Sequence, residues 1–397
     1  MMNLNGWLAR LRRVTSSGRF IPEIDGLRFI AIASVVLFHI NGDLIKHMEG
    51  RIDTPGEHNL LNELLVRGNF GVQLFFAISG FVLGLPFIQA YSENRARPSL
   101  RGYYLRRVTR IEPPLVINLT LYLFILHFVK HDSLRSLLPH YAASMTYSHN
   151  LIYRDVSTIN FVTWSLEIEA QFYLTAPFLV ALLSAPKRGL RVGLTIFVMA
   201  VWAAGSWYAI ERVPLIGLTL AGHLHYFLCG FLLAAVHLKN RGNAGHSYAW
   251  DAIALVAWCL LVRLLFSYTV WSAAAKPFVV LIAYIAMFRG RVASAIITFP
   301  VLAVIGGMCY TIYLYHSFMI ATLGRFTFRM VVTRSYELNV LIQAVVLGAG
   351  VALWGGVLFL LFEKPFMYRD WPAAAWARAK RIVGRPIEAD AKNDVNE

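Results

Sequence analysis

The chain has 397 residues, of which 57% are hydrophobic and only 15% charged, and its mean hydropathy is +0.56. That composition excludes an ordinary soluble domain, which needs far more polar surface. A net charge of +15 could suit nucleic acid, but Lys and Arg occupy the gaps between apolar runs instead of clustering on one folded face, so no nucleic-acid partner is expected. Cys229, Cys259 and Cys309 each lie inside an apolar run, without disulfide or zinc spacing, and are expected to fill the core.

The apolar runs are 24–42, 69–90, 113–129, 163–184, 190–209, 215–238, 250–268, 270–288, 297–322 and 338–362. Each is close to the ~20 residues that a helix needs to cross a bilayer. The fold class expected is therefore all-α, a polytopic integral membrane protein with about ten transmembrane helices. The seventh and eighth runs are separated only around Tyr268–Trp271, and Arg263 lies inside the seventh. The Arg-rich start (Arg10, Arg12, Arg13, Arg19) lacks a cleavable signal pattern, so the first run is expected to remain as an uncleaved start signal. No internal repeat is visible, and so neither is the inverted symmetry common in transporters.

Orientation follows from Lys and Arg. With the N-terminus inside, the inner segments hold roughly 24 of them against about 11 outside. The 43–67 loop, with Asp43, Glu49, Asp53, Glu57 and Glu63, suits the outer side. Arg325, Arg329 and Arg334 are a local exception. The expectation is a multi-pass protein of the inner (plasma) membrane, with a basic N-terminal tail over 1–23, a spanning region over 24–366 and a charged tail over 367–397, both tails being cytoplasmic.

Ionisable groups inside spans are costly and are candidates for function. Arg28 and His39 in the first run are eleven residues apart, so they share one helix face about 16 Å apart along the axis. The segment Arg106-Arg107-Val108-Thr109-Arg110-Ile111-Glu112-Pro113-Pro114 offers guanidinium forks suited to phosphate, with the prolines starting the third span. The 164–173 segment carries Glu167, Glu169 and Gln171, and Tyr310–His316 sets a histidine among aromatics. By depth, His39, Glu169 and His316 are expected in the outer half of the bilayer, and Arg28, Arg106, Arg107 and Arg110 at the inner side. Such an arrangement suits an anionic cofactor arriving from the cytoplasm and a reaction facing outwards.

Six segments in order resemble the membrane-bound acyltransferase 3 family over about residues 22–366. They are Ile24-Asp25-Gly26-Leu27-Arg28 running to His39, Gly71 through Phe81, Arg106 through Pro113, Trp164 through Tyr173, Tyr313 through His316, and Glu363 through Phe366. Gln73 stands where the family usually has Asp, and Ala170 where it has a second Glu, so neither position receives an acid role. The short C-terminal tail resembles the stand-alone form without an appended hydrolase-like domain.

The resemblance implies transfer of an acyl group, acetyl foremost, from cytoplasmic acyl-CoA to a hydroxyl of an exported glycan, lipid-linked or small-molecule acceptor, with no metal. On that reading Arg28, Arg106, Arg107 and Arg110 hold the anionic donor. His39 acts as general base or becomes transiently acylated, Glu169 orients a histidine, and His316 completes the catalytic set. The rivals are a proton-coupled transporter using His39, Glu169 and His316 as a relay, and a structural subunit of a glycan-export complex.

Overall fold

A computed structural model describes residues 4–14, 21–56, 58–183, 187–240, 245–331, 333–368 and 371. Arg19 and the charged tail beyond Trp371 lie outside the described residues. The helices are, in order, α1 (Leu4–Leu11), α2 (Pro22–Met48), α3 (Leu60–Val66), α4 (Gly71–Ser92), α5 (Leu100–Phe124), α6 (Leu134–Met145), α7 (His149–Tyr153) and α8 (Trp164–Leu182). They continue as α9 (Arg188–Arg212), α10 (Leu220–Lys239), α11 (Tyr248–Leu265), α12 (Val270–Arg289), α13 (Arg291–Ile297), α14 (Pro300–Gly307), α15 (Cys309–Thr327) and α16 (Tyr336–Phe362). Among the described residues there is no β-strand, and the fold is all-α. Every one of the ten apolar runs falls on a helix.

Eight helical segments are long and apolar enough to cross a membrane, or nine if the broken pair α14 and α15 makes one span. The remaining run forms α8, a 19-residue helix whose outward side chains Leu174, Phe178 and Leu182 are exposed. Exposed apolar side chains such as Phe197, Leu255, Val256 and Leu353 continue this outward surface on α9, α11 and α16. A surface of that kind is stable against lipid and not against water.

Two expectations change. Pro113 and Pro114 do not start a span; they lie inside α5, which begins with the Ser99 side chain accepting from the Gly102 amide. Proline removes the amide that would reach back four residues, which frees a carbonyl. The Thr109 carbonyl left by Pro113 accepts from Trp371 Nε1 at 3.0 Å instead. The ninth run is not one straight helix either, since it bends by 77° at Met308 between α14 and α15. Of the cysteines, only Cys229 is fully buried; Cys259 is exposed and Cys309 lines a cavity.

The centre of the bundle is a very close pairing of α4 with α10. A Cβ on Gly80 would stand 2.1 Å from the Phe227 carbonyl oxygen, and one on Gly230 would stand 2.1 Å from that of Ala77. Only glycine permits this approach, which lets Phe76 and Phe172 stack on Phe227 with ring centroids 4.8 and 4.0 Å away. Gly230→Ala is therefore expected to cost about 1–3 kcal/mol through overpacking and to lower the detergent-solubilised melting temperature. Gly205→Ala, where no atom lies within 4 Å of the added methyl, is the control and should melt no lower than wild type. Equal melting of all three proteins would show that the α4–α10 contact is not tight.

Candidate active site

One cavity of about 140 Å³ opens where α2, α4, α5, α8 and α15 converge. Its lining carries four guanidinium groups, those of Arg13, Arg28, Arg107 and Arg110, and two carboxylates, Glu169 and Glu363. Aromatic walls come from Phe75, Phe76, Tyr173, Tyr310 and Tyr313. Arginine stems and rings supply apolar surface, and the guanidinium forks supply donors suited to phosphate or carboxylate.

Arg13, Arg28 and the carboxylates have specific partners, whereas Arg107 Nε is buried without a hydrogen-bond partner among the described residues. Asp25, 1% exposed, accepts from Arg13 Nε at 2.8 Å and from Arg28 Nη1 at 2.7 Å. Glu169 accepts a hydrogen bond from the Ser79 hydroxyl of α4. Glu363 accepts from the amide and hydroxyl of Thr311, so it caps the N-terminal turn of α15 just after the bend. Tyr310 donates through its hydroxyl to the Ile111 carbonyl at 2.9 Å, joining α15 to the proline-disturbed stretch of α5.

The two candidate histidines come together outside that lining. His39 of α2 and His316 of α15 have ring centroids 4.8 Å apart, and Phe161 covers His39 at 5.4 Å. His316 is fully buried and its Nδ1 faces the Tyr313 carbonyl at 2.7 Å. A carbonyl accepts only, so Nδ1 carries the hydrogen and Nε2 the lone pair. His39 is partly exposed. Tyr313 borders both places: it lines the cavity, meets Ser165 Oγ through its hydroxyl at 2.7 Å, and lies 5.7 Å from the His316 ring.

The expected residues thus separate into two groups. Arg28, Arg107 and Arg110 meet in the cavity, whereas Arg106 is exposed and absent from the lining. The helix phase explains this: 107, 110 and 111 share the inward face of α5, and 106 lies beside it. Glu169 joins the arginines, not the histidines, and among the described residues no hydrogen bond links it to His39 or His316. Glu167 serves elsewhere, accepting from the Asn150 amide at 2.8 Å.

Sequence reasoning missed Arg13, Asp25, Ser79, Ser165, Tyr313 and Glu363 as site groups. All but Arg13 lie in motifs that were noticed, but nothing in the motif letters says that Asp25 carries two arginines. Arg13 read as a topogenic charge.

Comparison with known proteins agrees with this architecture. A family profile described as an acyltransferase domain, that of acyltransferase 3, matches residues 21–361. The peptidoglycan O-acetyltransferase OatA of Listeria monocytogenes is 26% identical over 339 residues, covering 77% of this chain and 50% of its own. The O-acetyltransferase OatA of Staphylococcus aureus is 26% identical over 208 residues, covering 50% of this chain and 31% of its own. Another Staphylococcus aureus protein, provisionally named an O-acetyltransferase, is 25% identical over 324 residues, covering 75% of this chain and 50% of its own. The chain spans about half the length of the first curated relatives it matches. No solved structure matches it. A profile match over most of the chain, on an all-helical bundle with these motifs in place, identifies the chain as a member of the membrane-bound acyltransferase 3 family.

Proposed function

We propose that the chain is a membrane O-acyltransferase that moves an acyl group, acetyl foremost, from acyl-CoA to a hydroxyl of an exported or membrane-linked acceptor, a cell-surface glycan foremost. The observation that carries this reading is Tyr313, which lines the arginine cavity on one side and packs on the His39–His316 pair through His316. An anionic donor and a basic nitrogen are thereby brought to neighbouring places. The glycan acceptor is supported by the Listeria relative, which is named for peptidoglycan.

The chemistry follows from those positions. Arg28, Arg107 and Arg110 bind the phosphates of the donor, and Arg106 is exposed beyond the cavity on the same helix, where it adds to the positive field. The acceptor hydroxyl oxygen attacks the thioester carbonyl carbon while its proton passes to His39. The C–S bond breaks, and the CoA thiolate takes the proton back from His39. His316, fixed by the Tyr313 carbonyl, holds the His39 ring in place. Glu169, bonded by Ser79, lines the arginine side of the cavity. A positioned base of this kind contributes about 10²–10⁴ in rate.

His39→Gln keeps a hydrogen-bonding side chain but no base. Acetyl transfer by the purified protein is expected to fall at least about 100-fold, with CoA binding by calorimetry retained. Activity above about a tenth of wild type would make His39 structural and move the role of base to His316. A wild-type protein that consumes no acyl-CoA would favour the transporter reading.

The uneven spread of Lys and Arg between alternate loops supports a plasma-membrane orientation with both termini in the cytoplasm. A C-terminal alkaline phosphatase fusion, active only outside the cytoplasm, is expected to stay silent, and a green fluorescent protein fusion to shine. The reverse pattern would overturn the orientation.

A further inference from the structure

Arg13 is the one cavity arginine that no spanning helix carries. It follows α1, whose Leu8 and Leu11 pack against the core and whose Arg10 carbonyl accepts from Lys364 Nζ. Leu11 sits where α16 is bare: a Cβ on Gly356 would stand 3.5 Å from it. The amino-terminal segment is thus docked on α14 and α16 and delivers a side chain, 10% exposed, into the cavity wall.

Charge makes that delivery matter. Around the cavity stand Arg13, Arg28, Arg107 and Arg110, against Asp25, Glu169 and Glu363. With every carboxylate ionised, one positive charge remains uncompensated, and any protonated carboxyl enlarges the surplus. Without Arg13, and with every carboxylate ionised, three charges of each sign remain, so the cavity's net attraction for an anion falls. Asp25 engages Arg13 through Nε, which leaves both of its terminal nitrogens without a hydrogen bond among the described residues. Those nitrogens form the half of the fork that suits a phosphate ester.

We infer that Arg13, carried by the docked amino-terminal segment, is a donor-binding residue that recognises the phosphate-bearing end of the acyl-CoA and makes the cavity prefer phosphorylated over phosphate-free thioesters. This rests on the acyltransferase reading. The segment then acts as a clasp, since residues 4–14, whose helix α1 docks on α14 and α16, also hold the residue that grips the donor.

The test compares two donors on the full-length protein in nanodiscs: acetyl-CoA and S-acetylpantetheine, which has the same thioester arm without phosphates. The reading is the ratio of kcat/KM for the two. Arg13→Gln leaves Asp25 paired with Arg28 and is expected to lower that ratio about ten- to hundredfold, the size of a lost charge-assisted contact. The loss should appear mainly in KM and shrink as salt rises. Arg13→Lys keeps the charge but not the fork, and should fall between the two; it serves as the working variant if Arg13→Gln does not fold. If both donors lose activity together and the ratio stands, Arg13 only braces Asp25 and the inference is wrong. An unchanged ratio with unchanged activity overturns it equally. Wild-type protein that turns over neither donor would instead sink the acyltransferase reading itself.

Discussion

Everything at the heart of this bundle depends on keeping guanidinium charges inside an apolar body. A lone buried cation is prohibitively costly, and an ion pair is tolerated only when its remaining donors and acceptors are also bonded. Asp25 meets that condition by receiving two arginines at once, 2.8 and 2.7 Å away. Glu169 and Glu363 are likewise bonded, by Ser79 and by Thr311. Asp25 therefore does more than balance charge. It also fixes how two arginines lie, engaging Arg13 through Nε and Arg28 through Nη1. Glu169 and Glu363 set negative charge beside the cavity without a hydrogen bond to an arginine among the described residues.

The same place is where two helices depart from regularity. Inside lipid every backbone donor and acceptor needs an internal partner. Pro113 frees the Thr109 carbonyl, which Trp371 takes, and the bend at Met308 frees the first amides of α15, one of which Glu363 takes. Tyr310 ties the two irregular stretches to each other through the Ile111 carbonyl. Breaking a helix exposes polar backbone, and polar backbone is tolerated only against a polar cavity. The irregular helices and the charged cavity thus stabilise each other, and neither would persist in an otherwise apolar bundle.

The spanning helices were legible because length and apolarity are local properties, and all ten runs lie on helices. Arg28, Arg107 and Arg110 were legible as a set because guanidinium groups so close to a span are expensive. Helix phase was not: the sequence could not say whether 106 or 107 faces inward, since a topogenic arginine and a binding arginine look alike. His39 and His316, expected at one level from their places in two runs, do meet, but the same counting did not place the third member of the expected set. Glu169, expected at the level of the histidines, instead bonds Ser79 and lines the cavity with the arginines expected at the inner side. The 77° bend was missed because apolar residues continue on both sides of Gly306-Gly307, so the two helices read as one span.

The division into two places has a chemical consequence on the acyltransferase reading. A thioester beside a general base and open water is hydrolysed unless water is kept from it. Here the partly exposed imidazole, His39, lies beyond Tyr313, while the arginines that hold the donor lie before it. The Tyr313 hydroxyl is engaged by Ser165 of α8, so the wall between the two is held from both α15 and α8. The Tyr313 carbonyl at the same time fixes the tautomer of His316. One residue therefore closes the donor side and sets the histidine side. On this reading the acyl carbon would pass the Tyr313 ring to reach His39, and an acceptor hydroxyl already bound at His39 would meet it ahead of water.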